Sequence, residues 1–214
     1  MVESSLLEDG ALDPESYRQA KIRIVHLLKQ GVAEQNPEGY SSLIKMMRDG
    51  HEKDPDNLER MWMVCARRAY CILNGFLPWE NIKDLPVRDK LWPAFASGAV
   101  VNLIKETGEV RTEDAPLLDG AAKYSDRVRN QLLDLAPHVV VCGGTFGAWL
   151  KTQSISNNQV RVSSSGMRYI HLHQTFYLGA YHPSHQANHA MEYTWFRICA
   201  EEILGRMVRS STVG

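Results

Sequence analysis

Four runs along the chain hold apolar residues without interruption by a regular polar partner: residues 22–28 (IRIVHLL), 99–104 (AVVNLI), 138–142 (HVVVC) and 175–181 (TFYLGAY). Each has the length of a strand, and β-branched residues dominate the first three. A strand that does not alternate is covered on both faces, which is the condition of a parallel sheet packed between helices. The stretches between them carry helical patterning, with helices predicted over 38–50, 57–74, 91–97, 119–136, 145–151 and 189–205. In the second of these Leu58, Met61, Trp62, Cys65, Tyr70 and Leu73 recur along one face, with Asp56 or Asn57 as the expected cap and Gly75 as the stop. Residues 158–173 alternate and predict a hairpin or edge strands. The expected architecture is a three-layer α/β/α sandwich around a central, mostly parallel, four-stranded sheet.

Composition narrows the class. In 214 residues, 44% are hydrophobic and 23% charged, with no internal repeat or linker, which fits one globular domain rather than two or a disordered chain. That domain is expected over 21–208, with an acidic lead-in over 1–20 and a short tail over 209–214. No stretch approaches the ~20 apolar residues of a membrane helix, and the N-terminus is acidic where a secretory signal is basic. A cytoplasmic protein without membrane contact is expected. Cys65, Cys71, Cys142 and Cys199 sit in apolar runs with no C-x-x-C spacing, so they read as reduced core residues, with no disulfide framework, zinc site or iron–sulfur cluster.

The net charge of −1 hides an asymmetry: residues 1–60 hold 8 basic and 12 acidic groups (−4), residues 120–200 hold 7 and 3 (+4). Near-neutrality argues against non-specific coating of nucleic acid, and the basic segment leaves room for a local anionic footprint.

Ligands of open parallel sheets bind beyond the carboxyl ends of the strands. Those ends deliver Lys29-Gln30-Gly31, Asn102 and Lys105, Gly143-Gly144-Thr145, and His182-Pro183-Ser184-His185. Asn102 interrupts an apolar strand with a carboxamide that must be paired if buried. It either bonds neighbouring backbone or reads a ligand edge. His182 opens a rigid turn fixed by Pro183, as a ligand-facing imidazole or as an ordinary turn residue.

Together these segments resemble the uracil-DNA glycosylase superfamily. The resemblance is carried by AVVNLIKETG (99–108), LLDLAPHVVVCGG (132–144) and FYLGAYHPSHQANH (176–189), and more weakly by IRIVHLLKQG (22–31). It covers roughly residues 20–205 in motif order. It implies a monofunctional DNA glycosylase that flips a nucleotide from DNA and hydrolyses its N-glycosidic bond, as a monomer and without a cofactor or metal. Asn102 then corresponds to the base-reading asparagine and His182 to the histidine that stabilises charge on the departing base. Gln30 falls where the water-positioning residue belongs, Gly31 and Tyr40 line the base pocket, and Ser184, His185, Gln186, Asn188, Lys105 and Gly144 meet the DNA.

The chain departs from that pattern in two places. The first motif lacks the acid and the proline of the usual turn; Gln30 can orient a water but cannot take its proton as a carboxylate does, and Glu34 is the nearest acid. The residues after His-Pro-Ser lack the usual large apolar wedge. The target is therefore expected to be uracil or an enlarged base such as a modified cytosine of phage DNA. Two alternatives remain. One is a catalytically silent DNA-binding homologue. The other is a metal-dependent hydrolase built on His171-x-His173 and on His182, His185 and His189, spacings that can bind zinc. The glycines of CGGTFG fit a tight strand-to-helix turn, not a phosphate loop, which would carry a lysine.

Overall fold

The four unalternating runs become the four central strands: β2 (Ile24–Leu28), β3 (Ala99–Asn102), β4 (Val139–Gly143) and β7 (Thr175–Ala180). In the computed structural model, which describes residues 6–30, 42–106, 114–185 and 188–212, all four run parallel in the order β3-β2-β4-β7. The sheet is wider than four strands. β1 (Gly10–Ala11) adds antiparallel to β3, and β6 (Arg168–Leu172) and β5 (Arg161–Val162) add antiparallel beyond β7, giving a seven-stranded mixed sheet. The extra strands lie outside the parallel four, with β1 and β5 as the edges. The β5–β6 pair follows the alternating stretch of sequence, whereas β1 is two residues long and too short to leave a pattern.

Burial on both faces of the central strands explains their composition. Val25, Leu27, Val101, Val140 and Cys142 face one core with residues of α1 (Pro14–Gln19), α6 (Asp114–Lys123), α7 (Ser125–Leu135) and α8 (Phe146–Thr152). Ile24, Leu28, Val100, Val139, Val141 and Leu178 face the other, against α3 (Arg60–Leu73), α5 (Trp92–Ala96) and α9 (His189–Thr212); α2 (Leu43–Lys53) and α4 (Trp79–Ile82) complete that side. A π-helical turn at Val87–Leu91 leads into α5. No helix among the described residues is long and apolar enough to cross a membrane.

Several local expectations are corrected. The helix expected over 119–136 is two helices broken at Tyr124, whose ring is buried at the junction. α3 starts later than its polar signal, at Arg60 with Glu59 as N-cap, and with no side-chain cap. Part of the acidic lead-in packs into the domain: Leu7, Leu12 and Tyr17 are buried, and β1 completes one edge of the sheet. At the other terminus α9 runs to Thr212, through the start of the expected tail. The four cysteines are free and buried, and burial pushes the thiols of Cys65 and Cys71 up to about 12, so they stay protonated and inert.

A polar ring also sits inside the core. His26, in the middle of β2, is 1% exposed; neither ring nitrogen has a partner among the described residues, and the ring meets Phe95 edge-on. Burial, aided by the Arg68 charge, pulls its pKa down to about 3. The unfolded chain takes up this proton near pH 6.5 and the folded chain does not, so stability is complete above pH 6.5. It falls by ~1.4 kcal/mol per pH unit as pH drops from there towards 3. His26→Leu removes this slope and two unpaired nitrogens together. Urea titrations at pH 7 and pH 4.5 should show a gain of ~1 kcal/mol at pH 7 and a larger one at pH 4.5. Equal or lower stability at both would contradict the burial assigned to this ring.

Candidate active site

The strand register brings the candidate residues to one rim. Asn102 lies opposite Leu28 across the β2–β3 ladder, and Gly143 lies opposite Ala180 across β4–β7. The β2–β3 ladder continues past the strands, with Leu103 and Ile104 amides donating to the carbonyls of Leu28 and Lys29 at 2.9 Å. Successive side chains alternate between faces. Asn102 therefore shares the face of Leu28, Gly143 and Ala180, the face covered by α3 and α9. Three interstrand spacings of ~4.8 Å separate β3 from β7. Asn102 at the end of β3 and the turn after β7 therefore stand on the same rim, with β2 and β4 between them.

Asn102 is 1% exposed, and its Nδ2 has no partner among the described residues. Its backbone is held instead: the amide donates to Asp9 Oδ2 at 2.7 Å. Asp9 also receives Lys105 Nζ at 2.8 and 2.9 Å and Gln131 Nε2 at 2.8 Å, while Lys105 donates to Gln131 Oε1 at 2.6 Å. The Lys105 and Asp9 side chains are 1% and 3% exposed. This overturns the phosphate contact expected of Lys105: its ammonium is sealed in a buried ion pair. Burial pulls its pKa down, and the Asp9 carboxylate opposes that pull. Lys105 and Asp9 instead tie the lead-in to the strand end that carries Asn102.

His182 is fixed by its own turn. The Ser184 amide donates to His182 Nδ1 at 3.2 Å, and Ser184 Oγ lies 2.7 Å from the same nitrogen. Because the amide can only donate, Nδ1 is the acceptor and the imidazole proton sits on Nε2. The Ser184 hydroxyl proton is then committed to Nδ1, which corrects its expected role as a phosphate donor. Burial, then the charges of Lys29 and Arg68, push the His182 pKa down to about 4. The side chain is a neutral Nε2–H donor at pH 7, and its closeness to Lys29 ties it to the end of β2.

Gly143 and Gly144 make room for this turn. A Cβ on Gly143 would stand 2.9 Å from Leu28 Cδ2 and 3.0 Å from Pro183 Cδ; one on Gly144, at φ +68°, would stand 3.1 Å from His182 Cβ. The Gly144 amide donates to Ala180 O at 2.9 Å, so it is not the free phosphate-binding amide expected there. Thr145 Oγ1 donates to Leu27 O at 2.7 Å and locks the two central strands to the start of α8.

The remaining candidates divide. Gln30 stands at the end of β2, partly buried. His185 is exposed, stacks on the Tyr181 ring at 5.2 Å, and its amide donates to His182 O. Asn188 is exposed, and its Oδ1 accepts the amides of Ala190 and Met191, capping α9. Gly31, Glu34, Tyr40 and Gln186 lie outside the described residues. The histidine pairs of the metal alternative do not come together. β6 is antiparallel to β7, so His171, opposite Phe176, and His173 lie at the end of the sheet away from His182. Among the described residues no three His, Cys, Asp or Glu side chains are grouped to hold a metal.

Sequence reasoning missed Asp9, Arg68 and Glu192. Arg68 carried a signal: it stands four residues from Val64 and from Ile72, on the buried face of α3 where an arginine needs a partner.

The rim thus belongs to an α/β protein with a mixed, centrally parallel sheet and a polar cluster at the strand ends. Compared with protein-family models and with curated proteins, the sequence matches none.

Proposed function

We propose that the protein is a DNA glycosylase that flips a pyrimidine nucleotide and hydrolyses its N-glycosidic bond, leaving an abasic site. The observation that carries this reading is a neutral, tautomer-fixed His182 on the same rim as Asn102, whose carboxamide Nδ2 has no partner among the described residues. An unpaired buried amide costs on the order of 1–3 kcal/mol, which a base edge bonded to Nδ2 would return. As the glycosidic bond breaks, its electron pair leaves with the base, and negative charge grows on the base oxygen. His182 Nε2–H is a preorganised donor for that oxygen. A water adds to the sugar carbon as the base departs and sheds its proton to solvent; the Gln30 amide oxygen can orient that water. The four central strands, parallel in the order β3-β2-β4-β7 between helices, support the reading at the level of an α/β fold, within a mixed sheet that the edge strands widen to seven.

The lack of a carboxylate at Lys29-Gln30 favours a target other than plain uracil, and a modified cytosine of phage DNA fits the smaller first motif. The same reading has the protein acting in the cytoplasm as a monomer, in defence against foreign DNA. The missing acid also motivates the second reading, a silent DNA-binding homologue. Duplexes carrying uracil, hypoxanthine, cytosine, hydroxymethylcytosine or glucosylated hydroxymethylcytosine, treated with protein and then alkali, separate the two. Strand breaks at a uracil or modified-cytosine position are expected; binding without breaks on any of them supports the silent homologue.

The depressed His182 pKa sets the pH profile. Excision should hold level as pH falls through 6.5 and decline only near pH 4, where Nδ1 takes a proton and expels the Ser184 donors. An inflection at 6.5 in single-turnover rates, with circular dichroism unchanged, would contradict an imidazole held neutral at that pH.

A further inference from the structure

We infer that Arg68, paired with Glu192, is a positioning residue that sets His182 through the carbonyl of Tyr181, an inference that rests on His182 acting at the departing base. The β7 ladder ends at Ala180, whose carbonyl takes the Gly144 amide. Tyr181 O is the next acceptor along the chain and has no strand to pair with. Arg68 Nη2 supplies the partner at 2.9 Å and bonds Glu192 Oε1 from the same nitrogen. The guanidinium also stands over the Phe196 ring, 5.4 Å from its centre. Arg68 comes from α3 and Glu192 from the first turn of α9, so the pair braces two helices and the strand end against one another.

The Arg68 and Glu192 side chains are 2% and 4% exposed. A buried pair of this kind is a poor source of net stability, since apolar residues of similar volume commonly do as well or better. What apolar residues cannot supply is a donor to Tyr181 O. Arg68 fits that task because its planar Nη2 group carries two hydrogens in fixed directions, one for each acceptor. The carbonyl it holds is one residue from His182, where an error of ~1 Å in the imidazole lowers the rate by as much as about a hundredfold.

The test is the double variant Arg68→Met/Glu192→Met, which removes both charges together, compared with wild type by three measurements. These are thermal unfolding, excision kinetics, and the ring 15N shifts of His182 in histidine-labelled protein. We expect a folded protein whose kcat falls about ten- to a hundredfold with KM little changed. Its two His182 ring shifts should move towards each other as the single tautomer is lost. A merely structural pair would alter the melting temperature and leave the tautomer and kcat alone; wild-type shifts in a folded double variant overturn the proposal. If the double variant does not fold, Arg68→Lys keeps the charge beside Glu192 without the fork. It should converge the ring shifts in the same direction, and unchanged shifts overturn the proposal there. Should wild type release no base from any duplex, the glycosylase reading fails by that result alone, and the ring shifts still decide the role of Arg68.

Discussion

Alanine at His182 should lower base release by roughly 10²–10³-fold while DNA binding stays near wild type. The magnitude is that of deleting one preorganised donor to a developing oxyanion, ~2.7–4 kcal/mol of transition-state stabilisation. Binding is spared because the donor bonds a charge that exists only as the glycosidic bond breaks. Single-turnover rates at saturating protein, set beside affinities from fluorescence anisotropy, separate the two effects. The Nδ1 side of the ring supplies a control. Ser184→Ala removes the hydroxyl at 2.7 Å and leaves the amide at 3.2 Å, so it should cost far less than the loss of the imidazole. A His182→Ala enzyme that keeps its rate and loses affinity would make His182 a DNA contact and remove it from the chemistry.

Lys105→Met should destabilise the fold by ~3–5 kcal/mol, because it strands the Asp9 carboxylate without its cation. That is a large share of the ~5–15 kcal/mol by which a domain of this kind is stable. Asp9 accepts from Lys105, Gln131 and the Asn102 amide at once, so the strand end bearing Asn102 loosens with it. Removing both charges, in Asp9→Asn/Lys105→Met, should restore most of the loss. Urea unfolding at pH 7 measures all three. A lysine that bound phosphate would behave differently: Lys105→Met would then leave stability unchanged and lower the salt dependence of DNA binding by about one counterion.

How much of this was legible in the sequence follows from where each residue's energetics reside. The central strands could be read because strands covered on both faces show an unbroken apolar run, and Val139–Gly143 and Ile24–Leu28 are such runs. Asn102 and His182 could be read because each is polar at the end of an apolar strand, and the fold carries strand ends to one rim. The edge strand Gly10–Ala11 could not, since two residues carry no period. The pairings of Asp9 with Lys105 and of Arg68 with Glu192 join residues far apart in the chain, and nothing local tells a buried charge from a solvated one. Lys105 therefore looks like a surface cation at a strand end, and Arg68 like a stray charge inside an apolar helix. The paired glycines of the sequence signal the tight turn at Gly144, but not that its amide donates to Ala180 O. Backbone bonding of that kind becomes visible only once the neighbouring strand is known.

The chemistry proposed for His182 and Asn102 is tested most directly by the product itself. Duplexes carrying uracil or glucosylated hydroxymethylcytosine are incubated with wild-type protein, and the small molecules released are identified by mass spectrometry. Release of the intact free base, matched in amount by abasic sites in the DNA and lost in His182→Ala, is the expected result. DNA that stays bound and whole, with no free base from any duplex, would contradict N-glycosidic cleavage.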